Sequence, residues 1–153
     1  MNKRINYMKA APDSVKGLMT VHGYLAQSGL DVNLVNLVYL RVSQINNCAY
    51  CLDMHWKDAR ALGEGEQRLY GLPAWREAPY YSDRERAALE LTESVTRIAD
   101  GGVPDAVIEQ AEQHFSRDEL SALLFAIVTI NAWNRLAISG RSPAGSYQVS
   151  VAH

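Results

Sequence analysis

Cysteine is scarce in this chain: Cys48 and Cys51 are the only two in 153 residues. Basic clusters are missing as well. Lys and Arg are scattered through a chain of net charge −2 and pI about 6.1, so there is no electrostatic footprint for nucleic acid and little attraction to an anionic membrane surface. The N-terminus carries Lys3 and Arg4 with no apolar run behind them, and no secretory signal is readable. The longest uncharged stretch, Leu120 to Asn134, falls short of the roughly 20 residues of a spanning helix and contains Ser121, Thr129 and Asn131. It reads as a buried helix. The expected compartment is the cytoplasm, where a Cys-x-x-Cys serves redox or metal chemistry sooner than permanent cross-linking.

Strand signals are absent too. No segment alternates over a useful length and no Gly-rich strand-to-helix turn occurs, so the expectation is an all-α domain spanning residues 1–153, with a short tail from about 141. An apolar fraction of 48% with 21% charged residues places the chain among globular proteins rather than disordered ones.

What is present is helical grammar. Pro12 suits a first turn, and Val15, Leu18, Met19, His22, Leu25 and Ala26 recur at helical spacing up to Gly29. His22, on that stripe, reads as a satisfied core or interface histidine. A second helix, from Asp31 or Asn33 to about Ile45, is apolar nearly all round and should be buried on several sides. Asn47 is the expected N-cap of a third helix, Cys48 to about Leu62, closed by Gly63.

A short turn around Glu66–Tyr70 and an irregular crossing with Pro73, Trp75 and Pro79 come next. Ser82 and Glu85 form a capping box for a helix turning Ala88, Leu89, Leu91, Thr92, Val95 and Ile98 inward. Pro104 opens a helix to about Phe115. A second box, Ser116 with Glu119, opens the last helix, through Leu123, Ile127 and Val128 to Gly140. The two boxes share cap grammar rather than a duplicated unit. Leu34–Ile45 and Leu120–Trp133 expose apolar residues on more sides than one small core covers, which points to self-association.

The concentrated chemistry is Cys48-Ala49-Tyr50-Cys51 with His55. On a helix these residues step by about 300° and then about 400°, so both sulfurs and the imidazole share one face. Cys51 and His55, one turn apart, can exchange a proton directly or through a water. Cys48 lies in the first turn, where free N–H groups favour a thiolate. Three readings follow. The pair is a working dithiol, one sulfur attacking an electrophile and the other resolving the product as a disulfide. Alternatively it supplies zinc ligands with His55 and a fourth from Asp53, Asp58 or His22, although no second ligand pair exists in the sequence. Or it is an inert helix with two core cysteines.

The run Ser43-Gln44-Ile45-Asn46-Asn47-Cys48-Ala49-Tyr50-Cys51-Leu52-Asp53-Met54-His55 resembles the AhpD-like alkylhydroperoxidases of the carboxymuconolactone decarboxylase family. The resemblance continues through Trp75 to Pro79, Asp83 to Leu89 and Ile130 to Leu136. It implies a domain of about six to eight helices, assembly into trimers or hexamers, and a thiol-dependent peroxidase needing no cofactor or metal. Its partners would be a hydroperoxide and a dithiol donor of dihydrolipoamide or thioredoxin type. By the same resemblance Cys51 attacks, Cys48 resolves and His55 moves the proton, whereas the helix dipole alone favours Cys48 as attacker.

The sequence departs from the family at Asn36, where the proton relay commonly has a Glu; Asn can hold an imidazole but cannot take its proton. It also has Tyr50 where some members carry a His. Two alternatives accompany the peroxidase: a non-enzymatic redox-sensing oligomer and a decarboxylase-like enzyme, the latter a branch that generally lacks the paired cysteines.

Overall fold

The computed structural model describes residues 4–149, and every regular element among them is helical. In chain order these are α1 (Tyr7–Ala10), α2 (Pro12–Gln27), α3 (Val32–Ile45), α4 (Ala49–Ala61), α5 (Glu66–Gly71), α6 (Asp83–Thr96), α7 (Asp105–Glu112) and α8 (Arg117–Gly140), with 3-10 turns at Leu72–Ala74 and Ile98–Asp100.

The centre is α3. Asp31 caps it, its carboxylate accepting from the Asn33 amide at 2.8 Å. With no charged residue but Arg41, α3 can lie inside the bundle, and α4, α6 and α8 all pack against it. Leu34, Val38, Tyr39 and Val42 face a core completed by α2, α6, α7 and α8. Leu37 and Leu40 face a second core with Leu69, Leu72, Trp75 and Leu89. Each such apolar side chain contributes about 1.5–3 kcal/mol on burial, and α3 supplies side chains to both cores.

Arg41 is accommodated by Glu93 on α6, 2.6 Å away. Glu93 also accepts from Trp75 Nε1 at 2.9 Å and from Arg76 at 2.8 Å. Burial would push its carboxyl up, but hydrogen bonds from Trp75, Arg76 and Arg41 outweigh that and hold it at about 2.

Both capping boxes form as expected, at Ser82 with Glu85 and at Ser116 with Glu119. Three expectations are corrected. Ile98 is 61% exposed, because Arg97 leaves helical geometry and breaks the inward period after Thr96. The expected helix to Phe115 stops at Glu112, although Phe115 stays buried in the turn beyond it. The stripe on α2 is covered unevenly, with Leu25 buried, Val15, Leu18 and His22 half-buried, and Met19 and Ala26 exposed. By length and composition α8 could cross a membrane, but it packs on α2, α3 and α6 and buries Thr129 and Asn134 against them.

Candidate active site

The site begins at the junction of α3 and α4. Asn47 adopts the left-handed conformation, φ 56°, which the short polar side chain of Asn tolerates better than most. The turn lets the Cys48 amide bond to the Ser43 carbonyl at 3.0 Å and the Asn47 amide to that of Gln44 at 3.2 Å, the pairing that ends a helix in a Schellman motif. Asn47 therefore closes α3 instead of capping α4, and Cys48 takes the N-cap position expected of Asn47. Its Sγ accepts from the Cys51 amide at 3.4 Å. The three-residue link Asn46–Cys48 puts the first sulfur at the positive end of α4.

Cys48 and Cys51 are joined as a disulfide, their Cα atoms 5.3 Å apart, and both are buried. They face different openings. Cys51 lines a cavity of about 450 Å³ together with His55, Asn36, Tyr39, His22 and Trp133. Cys48 lines a separate cleft formed with Ala137 and the tail residues Arg141 to Ala144. The first cavity is largely apolar, with Met8, Met19, Met54 and Ile130 in its wall.

Within it, His55 is 6% exposed. Burial, helped by nearby His22, lowers its pKa to about 3, so the ring is neutral at ordinary pH. Its Nδ1 lies 4.0 Å from Oδ2 of Asp58, one turn further along α4. Its Nε2 is buried with no hydrogen-bond partner among the described residues. A buried nitrogen of that kind is costly unless a ligand or water reaches it.

The Tyr39 ring stands 4.8 Å from that of His55, centroid to centroid. Its hydroxyl is 3.5 Å from Nδ1 of His22, and Trp133 Nε1 donates to Nε2 of His22 at 2.8 Å. His22 is thus a satisfied histidine, as expected, but on the cavity wall rather than in the core. Asn36, one turn before Tyr39 on α3, is buried in the same wall.

The tail runs back over α4. The Gly145 amide donates to Asp53, Lys57 donates to the Tyr147 carbonyl at 2.9 Å, and the Tyr147 hydroxyl donates to Oδ1 of Asp58 at 2.7 Å. The side chains that could have completed a zinc set are thereby engaged elsewhere: Asp53 by Lys57 and Gly145, His22 by Trp133. Among the described residues no three His, Cys, Asp or Glu side chains converge as a metal cluster.

The fold thus brings Cys51, His55 and Asn36 to one cavity, while Cys48, bonded to Cys51, lines an adjoining cleft that shares Tyr50 and Ala137 with it. Sequence reasoning missed Tyr39, Trp133 and Tyr147. Tyr39 was within reach, since it lies three residues after Asn36 and must share its face of α3. Trp133 and Tyr147 arrive from distant segments, for which the local pattern holds no signal.

The sequence profile of the carboxymuconolactone decarboxylase family matches residues 12–94, and the chain belongs to that family. It is 41% identical to the uncharacterized protein YdfG of Bacillus subtilis over 95% of this chain and 99% of the relative. A solved structure from Agrobacterium tumefaciens, a protein of unknown function described as a candidate antioxidant defence protein AhpD, superposes with a TM-score of 0.90. It is 42% identical, over 95% of this chain and all of that one. An uncharacterized peroxidase-related protein from Ralstonia eutropha with an alkylhydroperoxidase AhpD core shares the fold. Its TM-score is 0.78 at 19% identity, over 91% of this chain and 74% of that one. The all-α, AhpD-like fold expected from the sequence is therefore the fold of this chain.

Proposed function

We propose that the protein is a thiol-dependent peroxidase that reduces organic hydroperoxides through Cys51 and Cys48. The observation that carries the reading is the placement of Cys51 and the neutral, unpartnered His55 in one apolar cavity, with Cys48 within disulfide reach. In the reduced protein His55 accepts the Cys51 proton, and the thiolate attacks the distal peroxide oxygen. An S–O bond forms, the O–O bond breaks, and the alcohol leaves. The Cys48 thiol then attacks the Cys51 sulfenic acid, water departs, and the disulfide results. A dithiol donor reduces it by exchange, two electrons per cycle.

The separate openings support Cys51 as the attacking sulfur, since it is the one beside His55. The apolar wall suits a hydroperoxide carrying an alkyl or aryl body. Self-association belongs to the same reading: Tyr24 and Phe125 pack edge to face at 6.2 Å while both remain exposed, and Val128 is exposed on the same helix as Phe125. A native mass measurement giving only monomer would count against it.

The test is to titrate free thiols before and after one equivalent of cumene hydroperoxide, then to follow continued consumption with dihydrolipoamide. Loss of both thiols followed by sustained turnover is expected. Consumption that stops at one equivalent identifies a sensor instead, and equal consumption by Cys51→Ser and wild type would overturn the reading.

A further inference from the structure

His22 settles the orientation of a neighbouring proton. The Trp133 indole N–H can only donate, so Nε2 of His22, 2.8 Å away, is the accepting nitrogen and carries no hydrogen. Burial keeps the His22 pKa below its ordinary value, and the neutral ring must carry its hydrogen on Nδ1. That nitrogen faces the Tyr39 hydroxyl at 3.5 Å, so His22 donates and the phenol oxygen accepts. The phenol's own hydrogen has no acceptor among the described residues. Tyr39 lines the cavity of Cys51 and His55, where the unpartnered Nε2 of His55 also lies buried. Two groups with unmet hydrogen bonds thus share a largely apolar cavity, whose other polar lining side chains include Asn36, Tyr50 and Asp58.

We propose that Tyr39, oriented by His22 and Trp133, is the acid that protonates the alkoxide released when Cys51 cleaves a hydroperoxide. The inference rests on the peroxidase reading. The Cys51 proton passes to His55; the sulfur bonds to the distal oxygen; the O–O bond breaks; and the departing alkoxide takes the Tyr39 proton. Tyr39 then recovers a proton from the His55 imidazolium by way of solvent in the cavity both line, the two ring centroids lying 4.8 Å apart. Thiol and hydroperoxide have become sulfenic acid and alcohol with no other reagent. Burial pushes the phenol up to about 12, so the proton is in place at every working pH. A phenol is still a stronger acid than an alkanol, and the transfer is downhill.

The test compares reduced wild type and Tyr39→Phe, which keeps the ring beside His55, with two electrophiles. Cumene hydroperoxide expels an alkoxide and needs an acid; dithiodipyridine expels a stabilised thiolate and does not. Tyr39→Phe should react about 100-fold more slowly with the hydroperoxide, the scale of general acid catalysis, and as fast as wild type with the disulfide. Trp133→Phe, which frees His22 to reverse its tautomer, should show a smaller loss confined to the hydroperoxide and makes the same comparison if Tyr39→Phe does not fold. Equal hydroperoxide rates in wild type and variant overturn this inference alone, as does a parallel fall with both reagents. A wild type inert toward hydroperoxide overturns the peroxidase reading and this inference with it.

Discussion

Tyr147 and Asp58 tie the last described stretch of chain to the helix that carries both cysteines: the phenol donates to Oδ1 at 2.7 Å, and Oδ2 of the same carboxylate stands 4.0 Å from Nδ1 of His55. What reads in the sequence as a tail is therefore a strap across α4. Tyr147→Phe should lower stability by about 1 kcal/mol, the usual worth of one such bond, measured as a urea midpoint. It should also free Asp58 to swing toward His55 and raise the imidazole pKa. An unchanged midpoint would show the strap to be idle.

His55 makes acid expensive for the fold. Its folded pKa is about 3, against an ordinary 6.5 in the unfolded chain, so the unfolded state binds the proton first as pH falls. The neutral ring costs nothing above pH 6.5, and stability is lost progressively from there down to about pH 3. His55→Gln should flatten this part of the stability profile. In NMR titrations the His55 ring signals should hold still between about pH 5 and 8, where an exposed histidine would move.

Glu93 acts in a lower window. Its carboxyl, lowered from 4.5 to about 2, contributes stability that is present above pH 4.5 and lost as pH falls toward 2. Glu93→Gln leaves the buried Arg41 guanidinium without its anion. Thermal and urea unfolding at neutral pH should show a loss of about 3–5 kcal/mol, and the acid dependence below pH 4.5 should weaken.

Asn36→Glu is the reciprocal test of the cavity wall. A carboxylate set beside a buried imidazole favours the charged ring, so the His55 pKa should rise by about 1–3 units, read by NMR. Urea unfolding should show a loss of stability from burying the new charge. A His55 pKa that stays near 3 would mean that the Asn36 side chain is directed away from the ring.

Much of the helical order was legible in local pattern. Pro12, Asp31, Ser82 and Ser116 start their helices because a missing N–H or a side-chain acceptor satisfies the first turn, and such effects act within a few residues. Asn47 was misjudged because Asn serves both ends of helices. Which role it takes depends on whether the preceding helix needs a left-handed stop, and the Ser43 and Gln44 carbonyls decided that. Ile98 failed because the inward period assumed a helix that Arg97 ends.

The sequence by itself determined that Cys48, Cys51 and His55 share one face of a helix, since 3.6-residue periodicity needs no tertiary partner. It also determined that Asn36 brings no carboxylate to the site. Only the tertiary structure decided that Cys51 and Cys48 line two adjoining pockets, that His55 is buried and neutral, and that Trp133 and Tyr147 reach the site from α8 and beyond. Burial and hydrogen bonding between residues about a hundred positions apart depend on how α2, α3, α4 and α8 close around the cavity, and no local pattern encodes that closure.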